Sequence, residues 1–470
     1  MRLFRLGLAA VIGLAPLGAL GQTPPLRPDQ VAFRAIYKEL VETNTELSDG
    51  SCTEAAAKMG ARLKSAGFSD GDITYFADPA HPKDGGVVAV LRGTDPKATS
   101  VLLLGHIDVV EAHRADWTRD PFTLIEEDGY FYGRGTSDMK SIDAIWVDTM
   151  MRLKRSGKAP RGTLKLALTC GEESDGAFNG ADWLAKNRPD LVRADFGLNE
   201  GGGGRLDDKG QRESLSVGVG QKAYEDFRLT VTNPGGHSSR PRPDNAIYQL
   251  ADALLKVRGY DFPFKLNDTT REQLAPRSQK DDPAGQGLKR FLADPTDMAA
   301  AKEAASDPSV NAVLRTNCVA TLLSAGHAPN ALPQRATANI NCRIFPGETV
   351  AQTQQTLVGV IADPSVAVEA VDPDKPLAVS PPLDPKVIGP MRALANTDFP
   401  GTPLTPSMSA GASDAVYFGQ IDMAIYGVPG IFSDPDGNGV HGLNERLRVR
   451  SLYEGRDYLF DLVKACVGAS

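Results

Sequence analysis

The sequence predicts an α/β protein, in which a domain built on a mostly parallel sheet is interrupted by a ferredoxin-like α+β domain. Three observations carry this. Short, continuous apolar runs alternate with amphipathic stretches through the first 200 residues, the pattern of strands buried on both faces and covered by helices. After Gly220 the apolar residues alternate one by one with polar ones, as in half-buried antiparallel strands. These later elements follow the order β-α-β-β-α-β. A chain of 470 residues is long enough for two compact domains.

The first segment is an address. Arg2 and Arg5 precede an apolar run from Leu6 to Leu20, with small residues Ala19 and Gly21 at its end. Pro16 breaks the run, which falls short of the ~20 apolar residues a membrane span needs. Residues 1–21 therefore read as a signal peptide, predicting a secreted or periplasmic chain without a stable membrane anchor. Residues 22–215 read as the first part of the parallel-sheet domain. Val31–Thr45 reads as a helix, and Ser51-Cys-Thr-Glu54 resembles a capping box for a second helix that Gly67 ends. Val87–Leu91 and Val101–Leu104 are buried strands. Asp128-Gly129 turns a hairpin. Met139–Lys154 is helical, and Leu164–Leu168 and Phe196–Leu198 are strands.

Residues 216–374 form the inserted domain. Phe227, Leu229 and Val231 mark its first strand, Asn245–Val257 a helix, and Ala336, Ala338, Ile340, Cys342 and Ile344 a later strand. A helix near Glu348–Ile361 and a strand at Val366–Val371 complete it. Segment 258–316, rich in charge, Ala and Pro, reads as an irregular helical insertion. Residues 375–470 return to the first domain. The net charge of −8 argues against a general nucleic-acid binder, which needs a basic surface.

The chemistry gathers at strand ends, where open α/β sheets collect ligands. His106 follows a buried strand, and Asp108 can reach its second ring nitrogen and fix the tautomer of a metal ligand. Alone, this pattern is also that of an ordinary core or surface pair. Asp138, in Gly133-Arg-Gly-Thr-Ser-Asp-Met-Lys140, is a candidate ligand or a helix N-cap. Glu172 and Glu173 adjoin after another strand, where two carboxylates repel unless a metal or a shared proton intervenes. With Glu173 as a ligand, Glu172 is placed to act as general base. Glu200 follows a further strand, and His441 arrives late in the chain. Two of only 6 histidines thus join carboxylates in the inventory of a two-metal hydrolase.

In these motifs and their order the chain resembles the dizinc metallopeptidases and amidohydrolases that include carboxypeptidase G, aminoacylase, carnosinase and succinyl-diaminopimelate desuccinylase. The resemblance implies two Zn2+ per subunit, one held by His106, Asp138 and Glu200 and the other by Asp138, Glu173 and His441. Co2+ or Mn2+ are substitutes that such N/O sites accept. It makes Asp108 the orienting carboxylate and Glu172 the general acid/base. His237, in Gly235-Gly-His-Ser238, matches a histidine that polarises the scissile carbonyl, often from a partner subunit. Asn330 and Arg343 match positions that hold a substrate carboxylate, and Gly411 a backbone approach point. The inserted domain matches the family's lid and dimerisation domain, implying a homodimer. The implied substrates are peptides or N-acyl amino acids with a free carboxylate. Ser141 stands where many relatives have glycine, and segment 258–316 exceeds the compact lids. Two rival readings are a lid-less dizinc aminopeptidase, and a binding or assembly module without metal.

The odd cysteine count, 5, argues against a disulfide framework. Asn330 lies midway between Cys318 and Cys342, so register counting sets the two opposite, where an oxidising compartment could link them. Buried free thiols are the alternative. Cys170 reads as a small packing residue.

Overall fold

A computed structural model describes residues 26–174 and 178–469; the signal peptide expected at 1–21 lies outside them. The main domain is built on a ten-stranded mixed sheet that is parallel through its centre. There Leu164–Thr169, Val101–His106, Phe196–Asn199 and Ala424–Gly427 lie side by side. All six residues of Val101–His106 are buried. Val101 and Leu103 join one apolar core, and Leu102 and Leu104 the core on the opposite face, which is the two-residue period of a strand covered on both sides. Helices Pro28–Glu42, Cys52–Ser65, Lys140–Arg155 and Val449–Val467 contribute to the first core. Gly180–Asn187 and Ala415–Phe418 contribute to the second.

The expected local signals mostly hold. Ser51 caps its helix by accepting from the Glu54 N–H at 3.2 Å, and Gly67 follows the helix end at φ +101°. Asp128 and Gly129 both take positive φ in the hairpin between Ile125–Glu127 and Tyr130–Tyr132. The strand reading of Val101–Leu104 extends to His106 itself, so the histidine ends the strand rather than following it.

The inserted domain has the four-stranded order Asn317–Ala325, Arg335–Ile344, Ala223–Thr232, Val366–Ala370, all antiparallel. Helices Ala246–Arg258 and Val350–Ile361 join its apolar core. This is the ferredoxin-like sandwich that the alternation predicts. The central sheet keeps its strand Arg212–Gln221 to the end, so the chain crosses at Lys222 rather than at 216. The 258–316 segment folds into short helices, among them Asp268–Leu274 and Pro283–Ala293. They are bolted to the main domain: Gln273 Oε1 accepts from the Met408 N–H at 2.9 Å, and Met408 sits in their apolar cluster. The sheet's edge strand, Asn317–Ala325, exposes Val319, Leu322 and Leu323.

The cysteines require a correction. Cys318 does pair in register with Cys342 and is disulfide-bonded to it. A second disulfide joins Cys52 to Cys170 across 118 residues, so Cys170 is a cross-link and not a mere packing residue. An odd count only meant that one cysteine, Cys466, is left free. Nothing local in a sequence reveals a partner so far away.

Candidate metal centre

Three loops at the carboxyl ends of the central strands bring the predicted ligands together. His106 ends one strand, Glu173 follows Leu164–Thr169, and Glu200 follows Phe196–Asn199. Asp138 closes the glycine-rich loop before the helix Lys140–Arg155. His441 comes from the C-terminal segment, at φ +59°.

Asp138 lies at the middle. Its Oδ1 is 3.5 Å from His106 Nε2, and its Oδ2 is 3.2 Å from His441 Nε2. Glu200 Oε1 stands 3.7 Å from His106 Nε2, and Glu173 Oε1 3.0 Å from His441 Nε2. Two donor sets result, His106/Asp138/Glu200 and Asp138/Glu173/His441, each with ligand atoms within 4.8 Å of one another. These are the two sets the sequence resemblance implies. His106 tests the fit. Its Nε2 is buried without a hydrogen-bond partner, an expensive arrangement for a polar atom, and it points between two carboxylates too distant for hydrogen bonds. A divalent cation with nitrogen and oxygen ligands satisfies that atom and neutralises the carboxylates.

Asp108 is placed differently from the simplest expectation. His106 Nδ1 lies 3.1 Å from the Asp108 backbone oxygen, closer than the 3.6 Å to its carboxylate. The Asp108 carboxylate instead accepts from the Glu173 N–H at 2.9 Å, tying the two ligand loops together. Cys52 and Cys170 lie near Asp108, but their sulfurs are bonded to each other and are not thiolate ligands.

Burial and neighbouring charges shift these groups away from their ordinary pKa values. Burial pushes Glu172 up to about 9, and Glu200, Asp414 and Glu173 add repulsion that His106 offsets only in part. Burial likewise pushes Glu200 up to about 8. For Asp138 burial acts upward too, but the imidazoles of His106 and His441 facing it outweigh burial and hold the carboxyl well below the usual range. Asp138 and Glu173, both close to its Nε2, raise His441 to about 10.

Three buried carboxyls here were not singled out from the sequence. Glu445 accepts from the N–H groups of Gly135, Ser137 and Asp138, and from Arg134 Nη1 at 2.8 Å. Asp414 accepts from Thr169 Oγ1 and Asn179 Nδ2 behind Glu172. Asp143 packs behind the strand of His106. A Cβ at Gly105 would meet Asp143 Oδ1 at 2.1 Å, so a larger residue there requires the Asp143 carboxyl to shift. The available signal for Asp143 was an acid on an otherwise apolar helix face; Glu445 and Asp414 lie in irregular loops that carry no pattern.

A cleft of about 730 Å3 opens from the centre toward the inserted domain. Glu172, Glu173, Asp414 and His441 line it from the main domain, and Arg343 and Lys375 from the other side. Gly411 belongs to the loop whose neighbours Ala412 and Ser413 reach the same cleft. His237 and Asn330 do not line it. They sit on or beside an exposed two-stranded sheet, Gly236–His237 with Ala331–Leu332, where the Ser238 N–H donates to the Asn330 backbone oxygen at 3.0 Å and His237 Nδ1 faces Ser239.

Overlapping imidazole–carboxylate sets around one shared aspartate, with a buried glutamate beside them, are the equipment of a metallohydrolase. Within that class the chain belongs to peptidase family M20/M25/M40, whose sequence model matches residues 102–465. It is a hydrolase of peptide or amide bonds. Human N-fatty-acyl-amino acid synthase/hydrolase PM20D1 is 28% identical over 450 residues, spanning 93% of this chain and 88% of its own. Aminoacylase-1 of Sus scrofa is 34% identical over 230 residues, 48% of this chain and 53% of that protein. Among solved structures, the M20 metallo-carboxypeptidase Sso-CP2 of Sulfolobus solfataricus superposes with a TM-score of 0.71 at 19% identity, covering 94% of this chain and 99% of that one. The Bacillus subtilis YXEP protein, described as a dinuclear metal binding peptidase, gives 0.59 at 14% identity, with 94% and 99% covered.

Proposed function

We propose that the protein is an exported hydrolase that uses two divalent cations to cleave amide bonds next to a free carboxylate, in N-acyl amino acids and at peptide C-termini. The observation that carries this is the cleft itself: Glu172 on one wall faces a space whose other wall holds Arg343. The names of PM20D1 and aminoacylase-1 support N-acyl amino acids as substrates. Two disulfides suit an oxidising compartment.

Two cations, when bound, polarise the scissile carbonyl and acidify the attacking water; zinc is the ion we assign, with Co2+ or Mn2+ as substitutes. Glu172 accepts the proton of that water and returns it to the leaving nitrogen. Arg343 offers a planar fork to the substrate carboxylate. His237 and Asn330, exposed on their own chain, are assigned to the cleft of a partner subunit, where His237 donates to the developing oxyanion. The exposed edge strand Asn317–Ala325, with Val319, Leu322 and Leu323, is the surface we assign to that homodimer.

The test is hydrolysis of a panel of N-acyl amino acids, dipeptides and their C-terminal amides by the zinc-loaded protein. Cleavage that requires a free carboxylate is expected. Cleavage that requires a free amine and ignores the carboxylate overturns this reading in favour of an aminopeptidase. Absence of zinc and of hydrolysis after metal addition favours a binding module.

A further inference from the structure

Glu172 and Glu173 are carried by a turn. Among the described residues between Thr169 and Gly180 there is no helix or strand. Gly171 opens the turn at φ +92°, where a Cβ would lie 2.3 Å from the Phe178 backbone oxygen. The turn's two ends are held together: the Cys170 oxygen accepts from the Gly180 N–H at 2.8 Å, and the Gly171 oxygen from Asn179 Nδ2 at 3.1 Å. The other donor set rests on firmer elements. His106 ends a strand that is paired on both sides, and Glu445 backs Asp138.

Behind the two glutamates stands a disulfide. Cys170 directly precedes Gly171-Glu172-Glu173 and is bonded to Cys52, the first residue of the helix Cys52–Ser65. That helix is packed into the main core through Cys52, Ala55, Ala56 and Met59. Asp108 belongs to the same assembly. Its carboxylate accepts from the Glu173 N–H at 2.9 Å, and one of its oxygens lies within 4.8 Å of both sulfurs. Asp108 Oδ1 is buried without a hydrogen-bond partner, and a disulfide offers it none, because its sulfurs carry no proton. Reduction changes both supports of the turn. It unties Cys170 from the core, and it sets two S–H donors beside the carboxylate that Glu173 uses. A turn without a ladder of its own absorbs the shift. The groups displaced are Glu173, an assigned ligand, and Glu172, the assigned base.

We propose that Cys52 and Cys170 are a positioning pair for the metal centre: the disulfide sets the Glu172–Glu173 turn, and the reduced chain holds the ion of the Asp138/Glu173/His441 set weakly and turns over slowly. The inference rests on the two-cation hydrolase reading above and adds to it a requirement for oxidation. Removing the support behind a metal ligand costs roughly 10–100-fold in metal affinity or activity. Arg343, on the other wall of the cleft, is untouched, so the loss falls on kcat and leaves KM nearly unchanged.

The experiment compares wild type with Cys52→Ala/Cys170→Ala and with Cys318→Ala/Cys342→Ala, all well below their melting temperatures. Each is titrated with Zn2+ and assayed on one N-acyl amino acid. Cys52→Ala/Cys170→Ala should bind one of its two ions roughly 10–100-fold more weakly and lose kcat with KM nearly unchanged. Cys318→Ala/Cys342→Ala should keep both zinc affinities. Its remaining disulfide is Cys52–Cys170, so it also serves for chemical reduction if the first variant does not fold. A water-soluble phosphine opens that bond: phosphorus takes the oxygen of one water and becomes phosphine oxide, and the two protons complete the thiols. The same weakening of one ion is expected, reversed on reoxidation. Unfolding on reduction makes the bond a staple of the fold and overturns the positioning role. So do unchanged zinc affinities and kcat in folded Cys52→Ala/Cys170→Ala, or equal weakening in both double variants; each leaves the hydrolase reading standing. A wild type that takes up no zinc and cleaves no amide overturns that reading, and this inference with it.

Discussion

The Asp138 backbone N–H donates to Glu445 Oε1 at 3.0 Å, across 307 residues of sequence. The residue facing both imidazoles is thus held from behind by a carboxylate that touches no predicted metal. The same carboxylate takes the Gly135 and Ser137 N–H groups and Arg134. Glu445→Ala leaves the buried Arg134 without its carboxylate and three amides without their acceptor, costing about 3–5 kcal/mol. It should lower Tm and weaken zinc binding together, read by melting and metal titration. Unchanged zinc affinity in a folded variant would refute the positioning role.

Glu172→Gln keeps the shape and removes the proton carrier. It should reduce kcat by roughly 10^2–10^4-fold while zinc content and Tm stay near wild type. Stopped assays with a carboxylate-bearing substrate measure it, and near-normal turnover contradicts the assignment.

Arg343→Ala should raise KM for substrates with a free carboxylate by roughly 10–100-fold, the worth of one charge-assisted hydrogen-bonded pair. It should leave C-terminal amides nearly unaffected. Arg343→Lys should recover only part, because ammonium lacks the two-pronged fork. Equal effects on acids and amides would place Arg343 elsewhere.

Chelation should destabilise the fold as well as stop turnover. Without cations, Asp138, Glu172, Glu173 and Glu200 face one another around two imidazoles. Ions at about 100–1,000 times their Kd stabilise by about 3–4 kcal/mol. Tm should fall with chelator and return with Zn2+ or Co2+, whereas a Tm indifferent to chelation counts against the centre.

Glu225 gives a pH test away from the metals. It is fully buried in the first strand of the inserted domain; Oε1 accepts from the Asp372 N–H at 2.8 Å, and Oε2 has no partner. Burial pushes its pKa up to about 7, against 4.5 for an ordinary glutamate, although the Asp372 N–H and Lys375 oppose this. The folded protein therefore holds this proton where the unfolded chain has released it. Its stabilisation is present below about pH 4.5 and is lost as pH rises through about 7. Glu225→Gln should match wild-type Tm near about pH 5 and exceed it near about pH 8. A constant difference across that range would contradict the shift.

The strand-end motifs were legible because each carries its own local signal. An apolar run announces the strand, and the polar residue that ends it announces the site, as at His106, Glu173 and Glu200. The inserted sandwich was legible for the same reason: Phe227, Leu229 and Val231 alternate without interruption. Glu445, Asp414 and the Cys52–Cys170 link were not, because their meaning lies in partners hundreds of residues away or in irregular loops. The His106–Asp108 pair shows a subtler gap. Spacing brought them together, but the geometry gave the ring to Asp108's backbone and its carboxylate to Glu173.

The place of Ala424–Gly427 has a consequence for synthesis. That strand lies between Phe196–Asn199 and Arg212–Gln221 in the central sheet. On the ribosome, the inserted domain has all four of its strands once residue 370 has emerged, and can fold as a unit. The central sheet must wait with a gap at its middle until some fifty residues later. The catalytic domain, begun first, is therefore finished last, and a nascent chain stopped between these points carries a completed sandwich on a scaffold that still lacks His441.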